Sequence, residues 1–258
     1  MSVSSIRDFN DPFELHLKPG RQGTPAEELQ RTKTVAARNH DELIARAILA
    51  GHNIRRYRRK LAKVTKKPDL LRGLTDQLIE NQRERSIRHF DAATKVMCFS
   101  EQRDPESSEI PMWGYYADCH RGVRVHLHPE FYRRPGILVF DIDYEPLPPE
   151  VGFAESKLPG LNKFVEKMLR TKAESWSHEE EVRVLVPNRL LKKGPDSRGT
   201  NRHWIDLDPS HIARIDLGIQ FAEKAATVAL LKKEFPTTPV FLTSKHPKEF
   251  LCRYTREH

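Results

Sequence analysis

The fold is decided by the stretch Trp176-Ser177-His178-Glu179-Glu180-Glu181-Val182-Arg183, which continues as Val184-Leu185-Val186. Residues two apart in a strand share one face, so Glu179, Glu181 and Arg183 are expected to project together, about 6–7 Å from one to the next. The valines between and after them would point the other way, into a core. The alternation therefore predicts a strand over residues 179–186 with one charged and one apolar face.

Two interpretations of this charged row stay open. In the first, the row is a solvated sheet face whose charges pair with those of neighbouring strands. In the second, the carboxylates lie beside a sugar, since a carboxylate stabilises the positive charge that develops when a glycosidic bond breaks. Two close carboxylates can also separate their pKa values and so their roles. Trp176 would then be a wall for a ring, or a core side chain.

Two further motifs carry residues that could bind a ligand. Met112-Trp113-Gly114-Tyr115-Tyr116-Ala117-Asp118 offers rings that could stack on a planar ligand and donate hydrogen bonds, or that could anchor a helix turn in the core. Phe9-Asn10-Asp11-Pro12-Phe13-Glu14 carries a turn signal between two Phe residues. This motif is predicted to have a structural role, as a turn anchored by the two Phe side chains. In the alternative, Asp11 or Glu14 lines a pocket.

Length and composition limit the classes of protein. With 258 residues, 38% hydrophobic and 31% charged, the chain is predicted to form a single globular domain over residues 1–258. No apolar run approaches the roughly 18 residues of a membrane span, and residues 1–13 lack the apolar core of a signal peptide. The three cysteines (Cys98, Cys119 and Cys252) are widely spaced, which excludes a dense disulfide framework. Together these features predict a cytoplasmic protein without membrane contact.

The order of predicted elements indicates an α+β fold with a single mixed or antiparallel β core, because strands and helices do not alternate strictly. Residues 20–90 are predicted to be a helical block that precedes a strand-rich core over residues 94–250. Helices are expected from a capping box at Thr24-Pro25-Ala26-Glu27 to about 50, at 54–64, 69–90, 163–176 and 221–235. Strands are expected at 95–100, 122–127, 136–144, 179–186, 212–219 and 239–243, with a loop at 193–202.

The positive charge of the chain is concentrated in one segment. The net charge is +8, yet residues 46–72 alone hold ten Lys or Arg and one Asp, a local sum of +9. The helix predicted at 54–67 carries most of these cations: Arg55, Arg56, Arg58, Arg59, Lys60 and Lys63. It is either a solvated face or a surface for nucleic acid or an acidic protein.

A metal site is not expected. His126 and His128 would share a strand face, but no third ligand stands at a suggestive spacing. Cys119 beside His120 does not predict a catalytic couple either, because neighbours in sequence point apart.

Taken in order, the three motifs resemble a bacterial family catalogued as domain of unknown function 2971. The resemblance covers about residues 9–18 and 94–250, and it includes Lys172 ahead of Trp176 and the segment 212–218. The helical block at 20–90 is similar to a variable insert that such proteins carry after the first motif. Members have a further strand with a Tyr-x-Tyr signature upstream, whereas eight residues precede Phe9 here. We expect either that the natural start lies upstream or that this strand is lost.

The family's layout resembles that of ADP-ribosyltransferases, which cleave NAD. The resemblance implies that Glu181 is the catalytic carboxylate and that Glu179 orients it or activates an acceptor. It also implies that Trp113 and Tyr116 pack on nicotinamide. Arg183 would pair with Glu179 or with a phosphate, and Trp176 would complete the binding site.

The function implied is that of an NAD-using ADP-ribosyltransferase or NAD glycohydrolase acting as a toxin or phage-defence effector, with NAD as substrate and no metal. The alternative is a module that binds nucleic acid or protein through the basic helix at 54–67. An enzyme that modifies nucleic acid would combine both surfaces.

Overall fold

The structure is a computed structural model that describes residues 2–9, 11, 14–20, 27, 30, 33–34, 44, 48, 51, 53–64, 68–101, 109–151, 161–195 and 199–257. The chain forms two compact units. The first unit comprises Met1–Asn10, Ala93–Tyr144 and Glu174–His258. The second unit comprises Asp11–Ala92 and Glu145–Ala173. The helical block predicted at 20–90 falls in the second unit, together with residues 145–173.

The structure gives the bounds of five α-helices, alongside short 3-10 turns. They are α1 (Ile54–Val64), α2 (Pro68–Ala93), α3 (Glu109–Tyr116), α4 (Leu161–Arg170) and α5 (Lys224–Glu234).

The strands are short, between two and seven residues. In chain order they are β1 (Ser2–Val3), β2 (Lys18–Pro19), β3 (Thr94–Ser100), β4 (Val123–Leu127), β5 (Leu138–Asp141), β6 (Asp143–Glu145), β7 (Glu150–Val151), β8 (Thr171–Ala173), β9 (Glu181–Pro187), β10 (Lys192–Pro195), β11 (Asn201–Trp204), β12 (Ile212–Leu217), β13 (Val240–Lys245) and β14 (Cys252–Glu257).

In the first unit, the described strands form three sheets. One is antiparallel with the order β3-β9-β5, so that β9 is its central strand. The second, β1-β11-β10, is also antiparallel, and Ser4 bridges from the end of β1 to Val96 of β3. The third, β14-β13-β12-β4, is mixed, because α5 connects the parallel pair β12 and β13. Mixed and antiparallel sheets with helices confirm the α+β class.

Apolar side chains on both sides of these sheets build the core of the first unit. Val184 and Val186 of β9 are fully buried and pack with Phe131, Ile137 and residues of β1 and β3. A second cluster lies between α5 and the mixed sheet, where Val228 packs on buried residues of β12 and β13. The predicted apolar face of β9 is therefore confirmed.

The second unit is helical with one small parallel ladder. Helices α1, α2 and α4 belong to it, and β2 pairs with β7. Ile79 and Ile87 of α2 and Phe164 of α4 are buried. The helices predicted at 54–64 and 69–90 are confirmed as α1 and α2. Thr24 to Ala26 of the predicted capping box lie outside the described residues, whereas Glu27 is helical. In the part of the chain that the structure describes, no helix combines the length and apolar character needed to cross a membrane.

Several sequence predictions of boundaries are wrong. The helix predicted at 163–176 ends at Arg170, where the Thr171 hydroxyl donates to the Lys167 carbonyl and competes with further helix. The predicted loop at 193–202 contains the paired strands β10 and β11. Their sequence is polar and contains Gly and Pro, which is typical of a loop. The two strands nevertheless pair through backbone hydrogen bonds. The C-terminal strand β14 was not predicted, and the strand expected at 136–144 is interrupted at Ile142.

A left-handed turn joins α3 to β4. Asp118, Cys119 and His120 have φ values of 46°, 53° and 66°, a conformation that costs non-glycine residues roughly 1–2 kcal/mol each. The turn is held by backbone bonds to the segment after β12: the Gln220 N–H donates to the His120 carbonyl at 3.0 Å, and the Gly218 N–H donates to the Gly122 carbonyl at 3.1 Å. This close approach leaves no room for a side chain at Gly218.

We predict that Gly218→Ala destabilises the protein by about 1–3 kcal/mol, because its Cβ would overlap the carbonyl oxygen of His120 and lie 2.7 Å from the carbonyl carbon. The matched control is Gly194→Ala in β10, where nothing lies within 4 Å of a Cβ. Urea unfolding of both variants measures the difference. If the Gly218 variant were as stable as the Gly194 variant, the turn at His120 would be able to shift without a loss of stability.

Candidate functional site

A buried ion pair lies at the start of the central strand β9. The Nε and Nη2 atoms of Arg183 donate to the two carboxylate oxygens of Glu181 at 2.6 and 3.3 Å. The two residues are 0% and 4% exposed, and the guanidinium also lies over the ring of Phe9 at 4.8 Å. The interpretation of this row as a solvated sheet face is therefore wrong for Glu181 and Arg183.

The neighbouring strands position this pair. Arg183 stands opposite Cys98 of β3 and Phe140 of β5, so the strand is bonded on both sides. The backbone N–H of Glu181 donates to the hydroxyl of Tyr144 at 2.7 Å, and the Glu181 carbonyl accepts from the N–H of Ile142 at 3.1 Å. Hydrogen bonds to both its N–H and its carbonyl therefore fix the backbone of Glu181.

Glu179 does not belong to the strand, which corrects the prediction that it shares a face with Glu181. It ends a 3-10 turn over Glu174–Glu179, and the strand begins at Glu181. Between them Glu180 has a φ of 45°, in the left-handed region, so the alternation of a strand does not extend across it. Glu179 and Glu181 are both 4% exposed, but they occupy different surroundings.

The partner of Glu179 comes from the aromatic motif. The hydroxyl of Tyr116, in the last turn of α3, donates to Oε1 of Glu179 at 2.5 Å. Tyr116 is 55% exposed, whereas Glu179 is buried. This bond joins two of the three sequence motifs and connects an exposed ring to a buried carboxylate.

Three more rings belong to residues close to these two in the sequence. The ring of His178 lies 6.0 Å from that of Trp176, tilted by 30°, and 6.2 Å from the ring of Tyr115. Tyr115 is exposed, and Nε2 of His178 is buried with no hydrogen-bond partner among the described residues. We call Tyr115, Tyr116, Trp176 and His178 the aromatic group. His178 was not predicted as a site residue, although it stands inside the quoted motif.

Trp113 lies elsewhere. It is 2% exposed, its Nε1 donates to the hydroxyl of Tyr254 at 3.2 Å, and its ring stacks on His120. Of the two interpretations of Trp113, this placement fits an anchor of the core. The structure therefore separates Trp113 from Tyr116, which the sequence analysis grouped around one ligand.

A second charged cluster, not found from the sequence, surrounds Asp216 of β12, which is fully buried. Its carboxylate accepts from Nε of Arg124 at 2.9 Å, from Nε of Arg214 at 2.5 Å and contacts Nε2 of His126 at 2.8 Å. Arg124 also donates to Glu109 at 3.0 Å. The cluster depends on the register of β4 on β12, which places Arg124 opposite Asp216 and His126 opposite Arg214.

The acid–base properties of this cluster favour a structural role. Burial would raise the pKa of Asp216, but hydrogen bonds from His126 and Arg214 and the charge of Arg124 outweigh it, so the pKa falls below 3.8. Burial raises the pKa of the Cys252 thiol above 9.0 and that of the Tyr254 hydroxyl above 10.0. Both groups therefore stay protonated at neutral pH, and neither is activated as a nucleophile.

His126 is thus engaged by Asp216 rather than paired with His128 as a metal site. Among the described residues, no group of three or more His, Cys, Asp or Glu side chains is arranged to hold a metal ion.

In the second unit, the first motif forms a buried ion pair of its own. Nζ of Lys172 lies 3.1 Å from Oε1 of Glu14, with side-chain exposures of 4% and 5%. This contact brings together two of the quoted family positions. Removing either charge would leave the other buried, which is the usual condition of a structural pair.

We predict that Arg183→Met lowers the free energy of unfolding by about 3–5 kcal/mol, because it leaves the charge of Glu181 buried without its partner. Adding Glu181→Gln removes that charge and is expected to recover part of the loss. Urea unfolding of both variants gives the comparison. Equal stabilities of the single and double variants would argue against a dominant role of the ion pair.

We predict that Asp216→Asn destabilises the folded chain by about 3 kcal/mol or more at pH 7, because Arg124 and Arg214 lose their shared carboxylate. A lowered pKa stabilises the folded state above the unfolded pKa, near 3.8, and this contribution disappears as the pH falls through the folded value. The gap between wild type and variant should therefore close below about pH 3.8.

Thermal unfolding from pH 7 down to pH 3 measures this gap. The control is Asp118→Asn, which removes an exposed carboxylate paired with Arg121 and should change little. A gap that stays constant with pH would mean that the charge of Asp216 contributes nothing.

Comparison with known proteins adds no further constraint: no protein-family model, no curated protein and no solved structure matches the chain.

Proposed function

We propose that this chain is an NAD-cleaving enzyme, either an ADP-ribosyltransferase or an NAD glycohydrolase, with Glu179 as its reacting carboxylate. The observation that carries the proposal is the 2.5 Å bond from the hydroxyl of Tyr116 to Glu179. It links a ring accessible to a ligand with a carboxylate shielded from water. The layout of the three motifs, which resembles that of ADP-ribosyltransferases, supports NAD cleavage as the reaction.

The surroundings of the two glutamates favour Glu179 over Glu181, which the resemblance would make catalytic. Both oxygens of Glu181 accept from Arg183, and this fixed pairing neutralises its charge within the strand. Glu179 instead accepts a neutral hydroxyl donor from an exposed residue. Glu181 and Arg183 are then positioning residues that hold the start of β9.

The aromatic group suits the nicotinamide end of NAD. Nicotinamide is a flat, positively charged ring, and such rings bind well against aromatic faces. Tyr115 and Tyr116 are exposed on the last turn of α3, and His178 lies between Tyr115 and Trp176. Nε2 of His178 is a buried polar atom that the carboxamide of nicotinamide could satisfy.

The proposed reaction breaks the bond between the nicotinamide nitrogen and C1′ of the ribose. The bonding electrons leave with nicotinamide, which becomes neutral, and the positive charge develops on the ribose. Glu179 stabilises that charge, as carboxylates do in glycoside cleavage. Water or the nucleophile of an acceptor then bonds to C1′ and releases its proton. Loss of cellular NAD or modification of an essential acceptor would fit a cytoplasmic toxin or phage-defence effector.

We predict that the purified protein consumes NAD and that Glu179→Gln lowers kcat by about 100-fold or more, the scale on which acid–base and electrostatic groups contribute. Tyr116→Phe should lower it by about tenfold, since it loses one hydrogen bond that orients the carboxylate. NAD and free nicotinamide are measured by chromatography, with and without cell lysate to supply an acceptor.

The matched control is Glu174→Gln, an exposed carboxylate of the same 3-10 turn, which should leave the rate unchanged. Circular dichroism checks that each variant folds. If the wild type leaves NAD intact both with and without lysate, or if Glu179→Gln consumes it as fast as wild type, the proposal fails.

A further inference from the structure

We infer that α1 is a docking surface for the phosphate backbone of duplex DNA, independently of the proposed NAD chemistry. The cations of this helix that are exposed form what we call the basic face: Arg55, Arg56, Arg58, Arg59 and Lys63. At about 100° per residue they span an arc of about 160° on the helix surface. Ile54 and Tyr57 stand on the opposite arc.

This basic face is unfavourable for the helix on its own. Cations three and four apart repel each other, at about 0.2–0.5 kcal/mol for each pair, and Arg59 has such neighbours at Arg55, Arg56 and Lys63. Arg55 and Arg56 also lie in the first turn, which contains no acidic residue to offset the helix dipole. The side chain of Asn53 supports the helix start by accepting from the N–H of Arg56 at 3.1 Å.

Among the described residues, no carboxylate forms an ion pair with any cation of the basic face. The positive charge is also local, because the chain outside residues 46–72 sums to −1. A polyanion that binds here would relieve the repulsion and meet no competing carboxylate on the helix.

The geometry favours duplex DNA as that polyanion. An eleven-residue helix is about 16 Å long, and B-DNA carries one negative charge per roughly 1.7 Å of its axis. Its major groove is about 12 Å wide and admits an α-helix. Four of the five cations are Arg, whose planar guanidinium can bond two phosphate oxygens at once.

The test is binding of the full chain to a labelled mixed-sequence DNA duplex of about 20 base pairs, followed by fluorescence anisotropy from 50 to 300 mM salt. Five phosphate contacts predict a slope of about −4.5 for log K against log salt. Replacing Arg55, Arg56, Arg58 and Arg59 by Gln should reduce the slope to about −0.9 and weaken binding at least about tenfold at 100 mM salt. Gln is a comparable helix former, so α1 should be retained.

The matched control removes the same charge from exposed cations elsewhere, by Gln substitution of Arg85, Arg88, Lys233 and Arg253. It should bind DNA nearly as tightly as wild type. Equal losses in the two quadruple variants would overturn the inference, because bulk charge would then explain binding. Absence of wild-type binding would overturn it too. So would competition by polyglutamate as effective as that by unlabelled DNA at equal charge, because the partner would then be an acidic protein.

Discussion

A buried ion pair within one strand is the constraint on which the first unit depends. Glu181 and Arg183 lie two residues apart on β9, the central strand of its sheet, and both are almost completely removed from solvent. Charges taken out of water are tolerated only when they are paired closely and hydrogen-bonded. The fork of Arg183 meets both oxygens of Glu181, and Phe9 covers the guanidinium. The strand can therefore be buried on both faces.

The position of Glu179 depends on where strand β9 begins. The left-handed residue Glu180 separates the 3-10 turn from the start of the strand, and Glu179 at the end of that turn meets Tyr116. Two glutamates of one motif, two residues apart, thus acquire different neighbours: Arg183 for Glu181 and the exposed phenol of Tyr116 for Glu179.

Two groups of charges in this protein differ in their partners. Asp216, Glu14 and Lys172 are buried and paired with side chains of this chain, and the energetic effect of these pairs is on folding. The charges of the basic face of α1 are exposed, all positive and unpaired with the carboxylates that the structure describes. The second group has electrostatic energy to gain from an anionic partner.

The sequence by itself determined the α+β class, the helices α1 and α2 and most strands of the core, because their hydrophobic periodicity and turn residues act locally. It also identified the motifs that contain Tyr116 and Glu179, and the helix that carries the basic face. Only the tertiary structure decided which residues meet. In β4 the exposed valines and the inward Arg124 and His126 reverse what hydrophobic alternation suggests, because Asp216 lies opposite on β12. Contacts between distant segments depend on register and on single backbone conformations, such as that of Glu180, which no local pattern records.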